Sequence, residues 1–222
     1  EAAMSAASFD VADAFQRSGS RPRRFSPGED VMRMVYVSEA QTIASDGRKR
    51  IINDRPDIRA AFDGDIAVYG PYFNEDNEFV ICYSAPVIRN GKIVGVLSIE
   101  KNGYIFCRLI QSIRFVNSGE SYIINAEGTD IAVSDPHHME WVTSQYNAKK
   151  ILGGQEDATT RSILELERKG LDGKKGIGTY YWKNGLVYVI YEPIPSVGWV
   201  LFGGLREEEL AAMTQSVFFA SI

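Results

Sequence analysis

The sequence predicts an α+β fold in which two small antiparallel-sheet units follow an N-terminal helix. The order strand, turn, strand, helical segment and further strands occurs twice, although the two halves share no visible sequence identity. Each half also joins two apolar runs through an Asn-Gly pair, at 90–91 and at 184–185. Both residue types tolerate the positive φ of a tight hairpin turn. With 45% hydrophobic and 24% charged residues among 222, the chain can bury two such cores.

The first unit is predicted from alternating and continuous apolar runs between turn signals. Its expected strands cover 35–37, 41–44, 66–69, 78–87 and 93–99. A helix is expected at 57–62, because Pro56 suits a helix start where its missing N–H is not needed. A second helix is expected at 106–115, and 29–34 is compatible with a short one. Gly70-Pro71 is expected to end the strand before it.

The second unit follows the same order. Its expected strands cover 122–125, 131–134, 178–182, 186–191 and 199–203. A helical segment is predicted near 160–169 and a closing helix at 206–214. The expected division is 1–28 for the N-terminal helix and linker, 29–115 and 116–205 for the two units, and 206–222 for the closing helix. The start at Glu1 and the apolar end suggest a piece cut from longer helices.

Charge and hydropathy exclude several classes of protein. Twenty-four basic and 29 acidic residues give a formal net charge of −5, which argues against nucleic-acid binding. The basic clusters at 21–24 and 48–50 are interpreted as solvated loops. No run of about 18 apolar residues is present, so this segment is not expected to span a membrane.

Few residues have the pattern of a catalytic or metal site. Nucleotide-binding and hydrolase motifs are absent, and no carboxylate pair stands out by its spacing, so we expect no enzyme, cofactor or metal. His137 and His138 are interpreted as a surface loop without a third metal ligand nearby. Cys82 and Cys107 lack metal-ligand spacing. Cys82 is predicted to be a buried free thiol, and a single disulfide between the two remains the alternative.

The region 55–100 contains the residue types of a small-molecule pocket. Arg55 precedes a helix, Tyr69 and Tyr72 lie at a strand end, and Glu100 ends an apolar strand. Apolar walls with a few polar groups that fix orientation are typical of such pockets. Scattered surface polarity is the alternative interpretation.

Several segments resemble the double Cache sensor domain, with the membrane-distal half at 54–97 and the membrane-proximal half at 119–201. The distal segments are Asp54-Arg-Pro, Gly70-Pro-Tyr and Phe79-Val-Ile-Cys-Tyr-Ser-Ala-Pro-Val-Ile-Arg-Asn-Gly-Lys-Ile-Val-Gly-Val-Leu. The proximal ones are Gly119-Glu-Ser-Tyr-Ile-Ile-Asn-Ala-Glu-Gly-Thr, Gly176-Ile-Gly-Thr-Tyr-Tyr and Tyr191-Glu-Pro-Ile-Pro-Ser-Val-Gly-Trp-Val-Leu. The resemblance covers about 30–210 and implies two PAS-like modules on a long N-terminal helix.

The resemblance also implies a ligand pocket in the distal module. In members that bind amino acids, an Arg-x-Trp reads the ligand carboxylate; Arg55 matches, but Asp57 replaces the Trp. Tyr72 matches a strand-end Tyr, and Asn74 stands where a carboxylate often occurs. Glu100 matches the acid that binds the ligand amine.

The expected ligand-binding residues are therefore Arg55, Asp57, Tyr69, Tyr72, Asn74 and Glu100. If Asp57 pairs with Arg55, the guanidinium is not free for a ligand carboxylate, and Glu100 remains as the unpaired acid. This distribution of charge favours an amine or polar neutral metabolite over an α-amino acid.

The function implied is that of a non-enzymatic, small-molecule-binding input domain, outside the membrane, in a transmembrane chemoreceptor, sensor histidine kinase or diguanylate cyclase. A free-standing solute-binding protein and a small enzyme are the alternatives. We also expect weak homodimers through the N-terminal helix, where small residues allow close helix approach. These residues are Ala2, Ala3, Ala6 and Ala7, beside Met4 and Val11.

Overall fold

The computed structural model describes residues 33–38, 42–47, 52, 54–111, 119–152, 158–182 and 185–211. The predicted N-terminal helix and its dimer surface lie outside these residues. Of the described residues, those within 1–70 and 80–102 form one compact unit, and those within 71–79 and 103–222 form the other. The described residues form two antiparallel five-stranded sheets, so the α+β fold with two sheets is confirmed.

The first sheet has the strand order β2-β1-β5-β4-β3. Its strands are β1 (Arg33–Val37), β2 (Thr42–Ala44), β3 (Ala67–Phe73), β4 (Phe79–Arg89) and β5 (Lys92–Asn102). Helix α1 (Pro56–Phe62) begins with Pro56 in its first turn, as expected. An apolar core joins α1 to the sheet through Val35, Val37, Ala44, Ile52, Ile58, Ala61 and Val96.

The hairpin between β4 and β5 confirms the Asn-Gly prediction. Asn90 and Gly91 have φ of 52° and 74°, and Arg89 faces Lys92 across the two-residue turn. Two consecutive positive φ angles are what a type I′ turn requires.

Two expected boundaries in the first sheet are wrong. Arg33 and Met34 lie in β1, where they pair with Glu100 and Ile99, and not in a short helix. Strand β3 continues through Gly70-Pro71 to Phe73. A proline is tolerated there because β3 is an edge strand, where its missing N–H need not break the ladder.

The second sheet has the strand order β7-β6-β10-β9-β8. Its strands are β6 (Glu120–Ile124), β7 (Asp130–Val133), β8 (Gly176–Trp182), β9 (Gly185–Ile194) and β10 (Trp199–Arg206). The helices of this unit are α2 (Ile105–Ile110), α3 (Met139–Thr143), α4 (Ala148–Leu152) and α5 (Ala158–Leu171), and residues 207–211 are also helical.

Helix α5 packs on the second sheet and confirms the helical segment predicted near 160–169. Leu166 joins a core formed with Ile124, Val187, Val189, Tyr191, Val200 and Phe202. The close approach of helix and sheet depends on Gly170, where an added Cβ would lie 2.6 Å from Val200 Cγ1.

Cys82 and Cys107 are both buried and neither forms a disulfide, which confirms the expectation for Cys82 and excludes a disulfide between the two. Within the described ranges, none of the helices combines the length and the apolar character that crossing a membrane would demand.

Candidate functional site

A buried polar cluster occupies one face of the first sheet. Ser98 and Glu100 lie two residues apart on β5, so both side chains point to the same face. Across the ladders, Ser84 of β4 faces Ser98, and Arg33 of β1 faces Glu100. All four residues are less than a tenth exposed. Strand pairing therefore places polar side chains where a sheet core is normally apolar.

Arg55 and Asp57 complete this cluster from the start of α1. Arg55 Nε and Nη2 donate to the two Asp57 carboxylate oxygens, each at 2.8 Å, which is the bidentate geometry of a strong ion pair. Arg55 Nη2 also donates to Ser98 Oγ at 2.7 Å, and the Ser84 hydroxyl donates to Asp57. The expected pairing of Asp57 with Arg55 is thus present.

The expectation that Glu100 is an unpaired acid is wrong. Arg33 Nη1 donates to Glu100 Oε2 at 2.7 Å, and Arg55 Nη1 lies 3.6 Å from Oε1. Arg33 also reaches Asp46, with Nε to Oδ2 at 3.0 Å. The position of Arg33 opposite Glu100 depends on strand register, which no local sequence pattern indicates. Two guanidinium groups now face three carboxylates, and Glu100, the acid that was to attract an amine, is itself ion-paired within the protein.

Of the remaining predicted pocket residues, Tyr69 contacts this cluster, whereas Tyr72 and Asn74 do not group with it. Tyr69 offers its ring to Arg55, with 5.9 Å from Cζ to the ring centroid. Tyr72 and Asn74 lie among the residues that cluster with the second unit. The Asn74 amide organises its own turn, since Oδ1 accepts from Asp76 N and Glu78 N and Nδ2 donates to Glu78 Oε2.

The second unit contains a cavity of about 90 Å³ that the sequence did not predict. One water needs roughly 10–15 Å³ by this measure, so the space suits a molecule of several non-hydrogen atoms. Aromatic side chains form much of its wall: Tyr122 of β6, Trp141 of α3, Tyr146, and Tyr180 and Trp182 of β8. Tyr180 and Trp182 share a face of β8 because they are two residues apart.

Two deeply buried carboxylates also line the cavity. Asp130 of β7 is 5% exposed and Glu167 of α5 is 6% exposed. Among the residues that the structure describes, neither carboxylate has a hydrogen-bond or ion-pair partner. Glu120 and Arg206 contribute charges at the wall with more solvent exposure.

The electrostatics of the cavity follow from this burial. Burial raises the pKa of Glu167 from 4.5 to about 7. Burial, with the charge of Glu167 as a second cause, raises the pKa of Asp130 well above its usual value. Burial likewise raises the pKa of Tyr180 to about 12, so its phenol stays neutral. Both carboxyl groups are therefore harder to ionise than an exposed acid, because a buried charge without a partner is unfavourable.

His138 lies beside the cavity wall in a small cluster that the sequence did not indicate. Its Nδ1 is 3.2 Å from Glu120 Oε2 and 3.8 Å from Asp135 Oδ2, and its ring stacks on Trp141 at 4.0 Å. The expectation that no further ligand type lies near the histidines is therefore wrong. The histidine instead makes an ion pair, when protonated, and supports Trp141.

The sequence did hold a signal for the cavity. Ile163, Leu166, Glu167 and Gly170 follow the i, i+3, i+4, i+7 spacing of a buried helical face. A glutamate within that face is unusual, since a charged residue is almost never fully buried unless it is paired. This position could have marked Glu167 as a candidate site residue.

The comparisons with known proteins bear on the fold. No protein-family model matches the sequence, and no curated protein matches it. The extracellular domain of mmHK1S-Z3, a protein classed as a histidine kinase, aligns with a TM-score of 0.60 at 16% identity, covering 80% of this chain and 62% of that domain. The chain thus spans less than two thirds of that domain.

Two chemoreceptor domains are also similar. The ligand-binding domain of the Pseudomonas aeruginosa PAO1 amino acid chemoreceptor PctB, in complex with L-Arg, has a TM-score of 0.62 at 13% identity, with 85% and 71% coverage. The sensory domain of the Campylobacter jejuni chemoreceptor Tlp3, with isoleucine bound, has a TM-score of 0.51 at 14% identity, with 80% and 66% coverage. The two-module fold implied by the resemblance to double Cache domains is confirmed, and this chain has the fold of extracellular sensor domains.

Proposed function

We propose that this chain is the extracytoplasmic, small-molecule-binding sensor domain of a transmembrane signalling receptor. The observation that carries the proposal is the fold, which chemoreceptor and histidine kinase sensor domains share. The cavity in the second unit supports it, because it offers an apolar wall with a few polar groups, as ligand sites do. A ligand would act by binding one signalling state of the receptor more tightly than another.

A non-enzymatic role is part of this proposal. The similar structures are sensor domains, and the described carboxylates and histidines do not surround an activated nucleophile. Glu167 with its raised pKa could serve as a general base, but binding explains an aromatic-lined cavity equally well. Turnover of a bound metabolite would contradict the non-enzymatic role.

The preference for amines over α-amino acids at Arg55 is not carried forward. It depended on an unpaired Glu100, which the ion pair with Arg33 excludes. The similar domains of PctB and Tlp3 were solved with amino acids bound, which also goes against that preference. Both classes of metabolite therefore belong in a ligand screen.

A thermal-shift screen of amino acids, amines and organic acids tests the proposal. A ligand at about 100 times its Kd should stabilise the fold by roughly 2.7 kcal/mol and raise the melting temperature. The sensor proposal predicts at least one saturable shift without consumption of the compound. A screen in which every class leaves the melting temperature unchanged would count against it.

Two substitutions then locate the ligand. Tyr69→Ala removes the ring that faces Arg55 in the first unit, and Trp182→Ala removes an aromatic wall of the second-unit cavity. The variant that loses the shift, while its unliganded protein still melts cooperatively, identifies the occupied unit. The Arg55 cluster remains a proposed site, although a ligand there must compete with Asp57 for the guanidinium.

A further inference from the structure

Two buried carboxylates line the cavity of the second unit, and burial of a carboxylate is unfavourable unless a partner contacts it. Asp130 and Glu167 are buried, and neither has a partner among the described residues. Removing a carboxylate from water without a compensating contact costs free energy whether it stays charged or keeps its proton. Core positions are normally apolar, and buried polar groups normally have a hydrogen-bond partner. Two such carboxylates beside an open space therefore indicate that a bound molecule supplies the partner.

The walls of the cavity indicate which partner fits. Five aromatic residues from four different segments line it, and the Trp141 and Trp182 rings stand 6.1 Å apart at 75°. The face of an aromatic ring carries partial negative charge and attracts cations, most strongly for tryptophan. Rings and carboxylates together favour a cation that also has apolar surface.

We propose that this cavity binds the ammonium group of a small organic molecule, with Glu167 and Asp130 as counter-ions and the aromatic side chains as walls. This inference rests on the proposed sensor function for its biological role. It assigns the second unit a recognition site separate from the Arg55 cluster.

Other ligand classes fit the same residues less well. An anion would face Glu120, Asp130 and Glu167, against Arg206 as the one guanidinium among the described lining residues. A bare metal ion would gain little from the aromatic walls, because it requires a shell of oxygen or nitrogen ligands. A neutral apolar molecule would leave both carboxylates without a partner.

The site should respond to pH in a defined direction. Glu167 has a pKa of about 7 when the cavity is empty, and an ammonium group binds its ionised form. The other groups that face the cavity are Glu120, Asp130, Arg206 and the phenols of Tyr122, Tyr146 and Tyr180. Burial raises the pKa of all three phenols above the ordinary value of 10.0, so they do not titrate near neutral pH. Affinity for a permanent cation should therefore rise between pH 6 and pH 8, with proton release on binding.

Isothermal titration calorimetry of the whole chain tests the proposal with matched probes. Choline is a permanent cation, ethanolamine is its primary-amine counterpart, and 3,3-dimethylbutan-1-ol has the shape of choline without the charge. We expect choline or ethanolamine to bind at pH 8 and the neutral alcohol to bind at least about tenfold more weakly. L-alanine is the third probe that carries an ammonium group. Binding of L-alanine would identify an amino acid as the source of the ammonium group, and binding of ethanolamine or choline alone would identify a simple amine.

Substitutions assign the effect to the cavity. Glu167→Gln should weaken binding of the cation at least about tenfold at pH 8, and Asp130→Asn provides a second, independent test. The control is Glu165→Gln, which removes an exposed carboxylate from the same helix and should leave affinity unchanged.

Two results would overturn the inference. One is equal binding of choline and its neutral counterpart, and the other is an affinity that Glu167→Gln and Asp130→Asn both leave unchanged. Failure of choline, ethanolamine and L-alanine, together with a saturable shift from an organic acid, would refute the ammonium site and leave the sensor proposal standing. Failure of every compound would count against both.

Discussion

The Glu100 carboxylate is held by guanidinium groups on two sides. It is 1% exposed, with Arg33 at 2.7 Å and Arg55 at 3.6 Å. Removing one partner of a buried ion pair costs about 3–5 kcal/mol, since the other charge stays buried without compensation. These two ion pairs indicate that Glu100 stabilises the fold of the first unit.

Glu100→Gln should therefore lower the free energy of unfolding by about 3 kcal/mol, a value at the low end because Asp46 still pairs with Arg33. Urea denaturation at pH 7 measures this loss. Glu75→Gln removes an exposed carboxylate and serves as the control. A loss below about 1 kcal/mol for Glu100→Gln would show that the cluster contributes little to stability.

Glu167 should make stability depend on pH in the opposite direction from a salt-bridged acid. Its pKa is raised from 4.5 to about 7 in the folded chain, so between these values the folded state holds a proton that the unfolded state has lost. Stability should then fall as pH rises from about 4.5 to 7 and level off above it, with a total contribution on the order of 3 kcal/mol.

Glu167→Gln removes this titration. The variant should melt at a higher temperature than the parent chain at pH 8 and at a similar temperature at pH 5. Glu165→Gln, on the exposed side of the same helix, should not change the difference between the two pH values. If the melting temperatures of the parent chain and of Glu167→Gln change by the same amount between pH 5 and pH 8, the pKa of Glu167 is not raised.

The β4–β5 hairpin shows how local chemistry fixes an element. Gly91 has φ of +74°, and an added Cβ would meet no described atom within 4 Å. Gly91→Ala should therefore cost about 1 kcal/mol through backbone strain alone. Gly185→Ala is a matched control, because Gly185 also has open space but no positive φ. Equal effects of the two substitutions in urea denaturation would show that backbone strain is not the cause.

Elements with local signals were predictable, and their pairing was not. The Asn90-Gly91 turn and helix α5 follow from turn residues and helical spacing, which act over a few positions. The continuation of β3 through Pro71 depends on its place at the sheet edge. The Arg33–Glu100 ion pair depends on the register of β1 against β5. Edge position and register are properties of the assembled sheet, and no short segment carries them.

The cavity of the second unit is a property of the whole unit. Its lining comes from β6, β7, α3, α4, α5, β8, β9 and β10, and from Tyr146 between α3 and α4, across more than 80 residues. The sequence indicated two similar modules and a pocket in the first, where the family pattern is known. Helical spacing alone could have placed Glu167 on a buried face. The burial of Asp130, and the lack of a partner for either carboxylate among the described residues, appear only when the strands come together.

Hydrogen exchange of the whole chain with and without choline at pH 8 tests most directly whether this cavity is a ligand site. Peptides are followed across both units, with Glu167→Gln as the matched variant. We predict slower exchange in segments that line the cavity, within 120–134, 139–148 and 158–182, and no slowing in Glu167→Gln. Protection confined to 54–102, or protection that Glu167→Gln retains in full, would contradict a binding site at the second-unit cavity.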